Sequence, residues 1–240
     1  MFEGKRVGVV IPAFNEAEAI GHVISDIPDW ADDIVVGDNA STDGTADVAI
    51  AAGARVVREA EQGYGAACLA ALGELKNVDV VVFVDGDRSD YPQDMAALVA
   101  PIASGEWDMV IASRTLGEVA KGALTPQQRF GNWLATRLIW LIWGAYYTDL
   151  GPFRAIQSDA LRRLQMADRT YGWTVEMQIK AVEHHLSVHE VPARYRRRIG
   201  VSKISGTVIG TVLAGYKILS IIAREASNKF WRKAPHELNH

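Results

Sequence analysis

Short runs of branched apolar residues alternate with helix-like stretches along the first half of the chain. Residues 7–11, 34–36, 55–57, 78–84 and 109–112 are rich in valine and isoleucine and read as buried strands. Between them, residues 16–27, 45–52, 66–75 and 94–103 have the composition and length of helices. Strand–helix alternation with β-branched strands predicts an α/β fold, a doubly wound and mostly parallel sheet covered on both faces. Such sheets bind ligands outside the carboxyl ends of their strands. That edge holds residues 12–16, 37–44, 85–91 and 113–114, and three of these four loops are crowded with Asp, Glu or Asn.

The pattern changes after residue 114. A helix over about 128–147 carries Trp133, Trp140, Trp143, Tyr146 and Tyr147, and the tryptophan spacings of seven and three predict one shared face. Two readings stand: a core-packing helix, or an interfacial helix, because Trp favours the membrane–water boundary. The segment 204–223 is 20 residues long with one charge, Lys217. Its apolar positions 204, 208, 209, 212, 213, 216, 219 and 222 follow a helical stripe, and Gly206, Gly210 and Ala214 are spaced four apart. Ser205, Thr207, Thr211 and Ser220 dilute its hydrophobicity below that of a bilayer span, so an amphipathic helix lying on a membrane or a partner is expected. Arg194, Arg196, Arg197 and Arg198 before it, and Arg224, Lys229, Arg232 and Lys233 after it, suit anionic head groups. The alternative is a helix that closes the domain. The small-residue face would also suit a homo-oligomer.

Composition bounds the rest. The 240 residues make one large domain or a domain plus an appendage, here 1–203 and 204–240. Lys plus Arg is 25 against 29 Asp plus Glu, a net charge of −4 that argues against a dedicated nucleic-acid binder. The single cysteine, Cys68, excludes an intramolecular disulfide and fits a reducing compartment. No basic start followed by an apolar stretch opens the sequence, so no signal peptide is expected.

Chemistry concentrates in three strand-end loops. Asp85-Gly86-Asp87 directly follows the most apolar strand. Two carboxylates at this spacing reach one hard cation, Mg²⁺ or Mn²⁺, and leave positions open for phosphate oxygens. A solvated turn is the plain alternative. Ile11-Pro12-Ala13-Phe14-Asn15-Glu16 runs from a strand end into a helix, where Glu16 would also serve the helix dipole. In Asp38-Asn39-Ala40-Ser41-Thr42-Asp43-Gly44-Thr45, Thr42 or Asp43 would cap the next helix and Asp38 is left for a ligand. Gly63-Tyr64-Gly65 reads as a helix-start loop near that ligand, and Cys68 as an inert buried thiol.

These three motifs, in this order, resemble the family-2 glycosyltransferases of the GT-A fold, over residues 5–115. The resemblance implies that Pro12, Ala13, Phe14, Glu16, Asp38 and Asp85 contact the nucleotide of a nucleotide-sugar donor. It implies that Asp85 and Asp87 hold the metal. Further along, Thr148-Asp149-Leu150-Gly151-Pro152-Phe153-Arg154 resembles a block of the dolichyl-phosphate mannose synthases and polyprenyl-phosphate glycosyltransferases, with Gly-Pro where that block has Ser-Gly. Tyr171-Gly172-Trp173-Thr174-Val175-Glu176 and the basic loop from Arg197 to Lys203 extend the likeness to about residue 225.

The implied activity is metal-dependent, inverting transfer of a hexose, from UDP-glucose or GDP-mannose, to a polyprenyl or dolichyl phosphate at the cytoplasmic face of a membrane. A metal and arginines must absorb the charge of the departing diphosphate. Arg198 and Lys203 are the candidates beside Asp87, and Arg114 and Arg129 would receive the acceptor phosphate. A hydroxyl acceptor would instead require a carboxylate base, for which Asp149 and Glu176 are candidates. Transfer to a soluble or glycan hydroxyl and a non-catalytic nucleotide-sugar-binding subunit are the competing expectations.

Overall fold

The computed structural model describes residues 1–200 and 208–233. Among these residues one seven-stranded sheet forms, in the order β3-β2-β1-β4-β6-β5-β7. Its strands are β1 (Val7–Ala13), β2 (Asp33–Asp38), β3 (Arg55–Arg58), β4 (Val80–Phe83), β5 (Met109–Ser113), β6 (Arg154–Gln157) and β7 (Val188–Pro192). All neighbours are parallel except β6, which runs antiparallel to both β4 and β5.

Helices cover both faces, which is why every residue of β1, β4 and β5 is buried. On one face α1 (Ala17–Ser25), α2 (Thr45–Ala51) and α4 (Met95–Ala103) pack on Val7, Val9, Ile11, Val82 and Val110. On the other, α3 (Tyr64–Glu74), α5 (Pro126–Trp143), α6 (Ser158–Leu164), α7 (Trp173–Glu183) and α8 (Val208–Lys233) cover Val10, Val35, Phe83 and Ile111. The β2 and α3 backbones touch at Gly37, where a Cβ would lie 2.2 Å from the Ala67 carbonyl oxygen.

Four sequence expectations change. The strand β6 has no apolar run to announce it, because it opens on Arg154, a fully buried guanidinium. Arg154 donates to the carbonyls of Leu150, Gly151 and Thr174, and burial pushes it down to about 10. The tryptophans of α5 do not share one face. A three-residue step falls about 60° short of a full turn, so Trp143 turns inward to donate to Glu183 while Trp133 and Trp140 stay exposed. Gly144, in the left-handed region at φ 75°, ends α5 before Tyr146 and Tyr147. The apolar stripe of α8 divides as well: Ile221 and Ile222 join the core, whereas Leu213, Tyr216 and Leu219 are exposed.

The basic stretch before α8 is also not a free patch. Residues 194–198 run extended, and their arginines alternate. Arg194 pairs with Asp94, Arg196 with Asp26, and Arg198 with Glu16 and Asp87. Between them Tyr195 is buried beneath the Arg114 guanidinium, and Arg197 donates to the Lys121 carbonyl. Lys203, Gly206 and the expected boundary between 203 and 204 lie outside the described residues.

A Gly37→Ala substitution forces β2 and α3 apart. It is expected to destabilise the chain by about 2 kcal/mol, read as a lowered urea midpoint at unchanged m-value.

Candidate active site

The carboxyl ends of β1, β2 and β4 surround a cavity of about 460 Å³. Of the expected nucleotide contacts, Pro12, Ala13, Phe14, Glu16 and Asp85 line it, together with Asp87 and Arg198. Hydrogen bonds stitch the first two loops together. Asn15 N–H donates to Ser41 Oγ, Glu16 N–H to Thr45 Oγ1 and Thr42 N–H to Asn15 Oδ1. Asp43 accepts from the Ala17 and Thr45 N–H groups, so it serves the first turns of both α1 and α2. Asp38 is not a lining residue. It is buried and accepts from the Ser41 N–H, and its neighbour Asn39 faces the cavity instead.

The loop after β4 carries three acids. Tyr64 Oη donates to Asp85 Oδ1 at 2.9 Å, Asp87 accepts from the Ser89 N–H, and Asp90 is buried behind them. Burial, then repulsion from Asp87, pushes the Asp85 carboxyl up to about 7 against the pull of Tyr64, Arg198 and Arg114. Burial, then repulsion from Asp85 and Asp87, pushes Asp90 well above the usual carboxylate range. Asp90 was missed from sequence; its signal was only a third acid in the same loop. Arg198 answers part of this charge, reaching Asp87 Oδ2 at 2.9 Å and Glu16 Oε1 at 3.0 Å. Its loop is fixed there by Ile199 N–H donating to the Asp87 carbonyl and Arg196 N–H to the Ser89 carbonyl.

This donor set fits a hard divalent cation. Asp85 and Asp87 are oxygen donors whose mutual repulsion a cation would relieve. Among the described residues no three His, Cys, Asp or Glu side chains form a complete cage, so an ion held by Asp85 and Asp87 would need further oxygens from a bound molecule or water.

A second cavity, about 450 Å³, lies between α5 and the chain from Tyr146 to Asp149. Arg129 lines it as expected, and so does Arg137, which stacks over Trp140 and was missed. Eight residues separate it from Arg129, which leaves the two about 80° apart around the helix, so the spacing alone did not single it out. Arg114 also lines it but is already bound. Its Nε and one terminal nitrogen each lie 2.7 Å from the Asp149 carboxylate, which also accepts the Arg114 N–H. Burial works against the Arg114 charge and Asp149 overcomes it, holding the guanidinium protonated. Asp149 is thus a partner for arginine rather than a free base. Glu176, the other candidate base, lines neither cavity. It is fully buried, pairs with Lys180, and accepts from the Ala167 and Asp168 N–H groups.

Because the Asp85 carboxyl binds its proton more tightly in the folded chain than in the unfolded one, the stability this group contributes is lost as pH rises from about 4 through about 7. In chelator, Asp85→Asn is therefore expected to melt above the native chain at pH 8. The gain should shrink as pH is lowered below 7 in a series of thermal melts; a gain equal at every pH would contradict it.

Residues 8–164 match the family described as glycosyl transferase family 2. The chain is 31% identical over 225 residues to a dolichyl-phosphate hexose transferase of Haloferax volcanii, covering 91% of this chain and 95% of that protein. It is 31% identical over 195 residues to the glycosyltransferase AglJ of the same organism, covering 80% of this chain and 63% of that longer protein. Among solved structures, glucosyl-3-phosphoglycerate synthase from Mycobacterium tuberculosis, in complex with Mn²⁺, UDP-glucose and phosphoglyceric acid, superposes with a TM-score of 0.76. It is 24% identical, over 93% of this chain and 80% of that one. The mixed sheet is thus the GT-A fold, and the chain belongs to glycosyl transferase family 2 and is a glycosyltransferase.

Proposed function

We propose that this glycosyltransferase moves a hexose from a nucleotide sugar to a polyprenyl or dolichyl phosphate. One observation carries the choice of acceptor. Asp149 is the only carboxylate lining the second cavity among the described residues, and Arg114 holds it at two atoms. A hydroxyl acceptor needs a base to take its proton, whereas a phosphate monoester is already anionic. What the cavity does offer is positive charge, Arg129 and Arg137, set among Trp133, Trp140 and Tyr146. Guanidiniums suit the phosphate, and the aromatic faces suit an isoprenoid chain.

The donor's nucleotide would lie along Pro12, Ala13, Phe14 and Asn39, with its diphosphate toward Asp85 and Asp87. A divalent cation, Mg²⁺ or Mn²⁺, held by these two aspartates would supply positive charge to the departing nucleoside diphosphate. Arg198 stands in the same cavity to add its own charge as the bond from the anomeric carbon to the diphosphate oxygen breaks. Attack by the acceptor's phosphate oxygen from the opposite side would invert that carbon. The relative named dolichyl-phosphate hexose transferase supports this acceptor class.

Among the described residues no helix is long and apolar enough to cross a membrane. The acceptor would be met at the cytoplasmic surface. Phe130, Trp133, Trp140, Leu141 and Tyr146 stand exposed beside the second cavity and would enter the interface.

The test is transfer of labelled sugar into an organic phase from a panel of UDP-, GDP- and dTDP-hexoses, with a short polyprenyl phosphate and Mg²⁺ or Mn²⁺. Label from one donor is expected in the lipid, falling to background in Asp87→Ala. Arg129→Gln and Arg137→Gln should each raise the lipid-phosphate KM about tenfold at unchanged donor KM. Label entering 3-phosphoglycerate but not lipid would replace this reading with a soluble acceptor.

A further inference from the structure

The last described helix is wired to the wall of the donor cavity. Thr170 and Tyr171 form part of that wall, on the loop between α6 and α7. The loop is folded around one buried side chain, Asp168. Its Oδ1 accepts from the Thr170 N–H at 2.8 Å and the Gly172 N–H at 3.0 Å. Its Oδ2 takes an ion pair from α8, Lys217 Nζ at 3.1 Å. Asp168 is 3% exposed, and Lys217 is the only cation paired to it among the described residues.

The loop fits tightly between its neighbours. A Cβ on Gly172 would lie 1.6 Å from Ile221 Cδ1 of α8. On the opposite side, a Cβ on Gly63 would lie 2.0 Å from the Arg169 carbonyl oxygen and one on Gly65 1.9 Å from that of Asp168. Gly65 and Ala66 N–H donate to the Thr170 and Arg169 carbonyls, so the loop caps the first turn of α3. That turn presents Gly63 and Tyr64 to the donor cavity, and Tyr64 holds Asp85. A shift of α8 therefore cannot be absorbed in a void; it passes to Thr170, Tyr171 and the start of α3. Twelve residues further along, about 18 Å of helix, Lys229 donates to the Ile142 carbonyl of α5 and stands over Trp143. One rigid helix thus joins the acceptor-cavity helix to the donor-cavity wall.

We propose that Lys217 is a positioning residue for the donor: through Asp168 it holds the 168–172 loop in the conformation that binds the nucleotide. This rests on reading the first cavity as the donor site. Without the ammonium, a buried carboxylate loses its countercharge and the loop its link to α8. Donor affinity then depends on the ion pair that ties this loop to α8.

The test combines calorimetric binding of UDP and GDP in Mn²⁺ with amide hydrogen exchange on the full chain, for Lys217→Met, Lys217→Arg and Lys229→Met. Lys217→Met is expected to weaken binding of the preferred diphosphate about fivefold and to speed exchange at the Thr170 and Gly172 amides. Lys217→Arg should restore both. Lys229→Met, which leaves the Lys217–Asp168 pair in place, should lower the melting temperature while weakening binding less than Lys217→Met does. In turnover, Lys217→Met should raise donor KM more than it lowers kcat. A lowered melting temperature with unchanged affinity in Lys217→Met would make the pair merely structural and overturn the proposal. So would unchanged exchange at 170 and 172. Failure of the native chain to bind either diphosphate would remove the donor reading itself, and this inference with it.

Discussion

Acids crowd one edge of the sheet, and the surrounding structure is arranged around the resulting charge. Asp85, Asp87, Asp90 and Glu16 converge where β1 and β4 end, in a crevice dry enough to lift two of the four above their usual range. Such a group of carboxylates persists only if cations are brought to it. The chain does so from far away in sequence: Arg198 comes from beyond β7 and Arg114 from the end of β5. Neither burial nor pairing alone accounts for the loop geometry. The balance left over, an acidic pair still under repulsion, is what a metal-bound diphosphate would relieve.

Arg114 and Asp149 divide the site into two regions of opposite character. One side is acidic and faces the loops after β1 and β2; the other is basic and aromatic and faces α5. By occupying each other, the pair keeps Arg114's charge near the acids and withholds Asp149 from proton transfer. A transferase built this way suits an acceptor that arrives negatively charged. Gly151 packs closely beside this pair: a Cβ there would come 3.0 Å from the Ala112 carbonyl oxygen and 3.1 Å from Asp149 Oδ2.

The legible parts of the fold were those carried by local periodicity. The valine-rich strands and the acidic loops at their ends follow from residue type and spacing. Strand β6 did not, because its first residue is a buried arginine satisfied by main-chain carbonyls, which no local pattern encodes. Site residues divide on the same line. Asp85 and Asp87 were visible because position on a strand end is a local property. The pairing of Arg114 with Asp149 spans 35 residues, and that of Arg198 with Glu16 spans 182, so both belong to tertiary structure. Glu176 is the instructive exception. Its partner Lys180 lies one helical turn on, and that spacing was open to inspection.

The extended stretch from 194 to 198 has a property of parity. Its even positions carry arginines to acids contributed by three separate elements, and its odd positions carry a tyrosine inward and an arginine to a carbonyl. Consecutive side chains of an extended chain point to opposite sides. A family member that gained or lost a single residue between the end of β7 and residue 198 would exchange the two sets at once. Tyrosine would meet the acids, and arginine the space beneath Arg114. Each of its five side chains has a partner, so a change in length would displace them all together, and length variation among relatives should collect on either side of it.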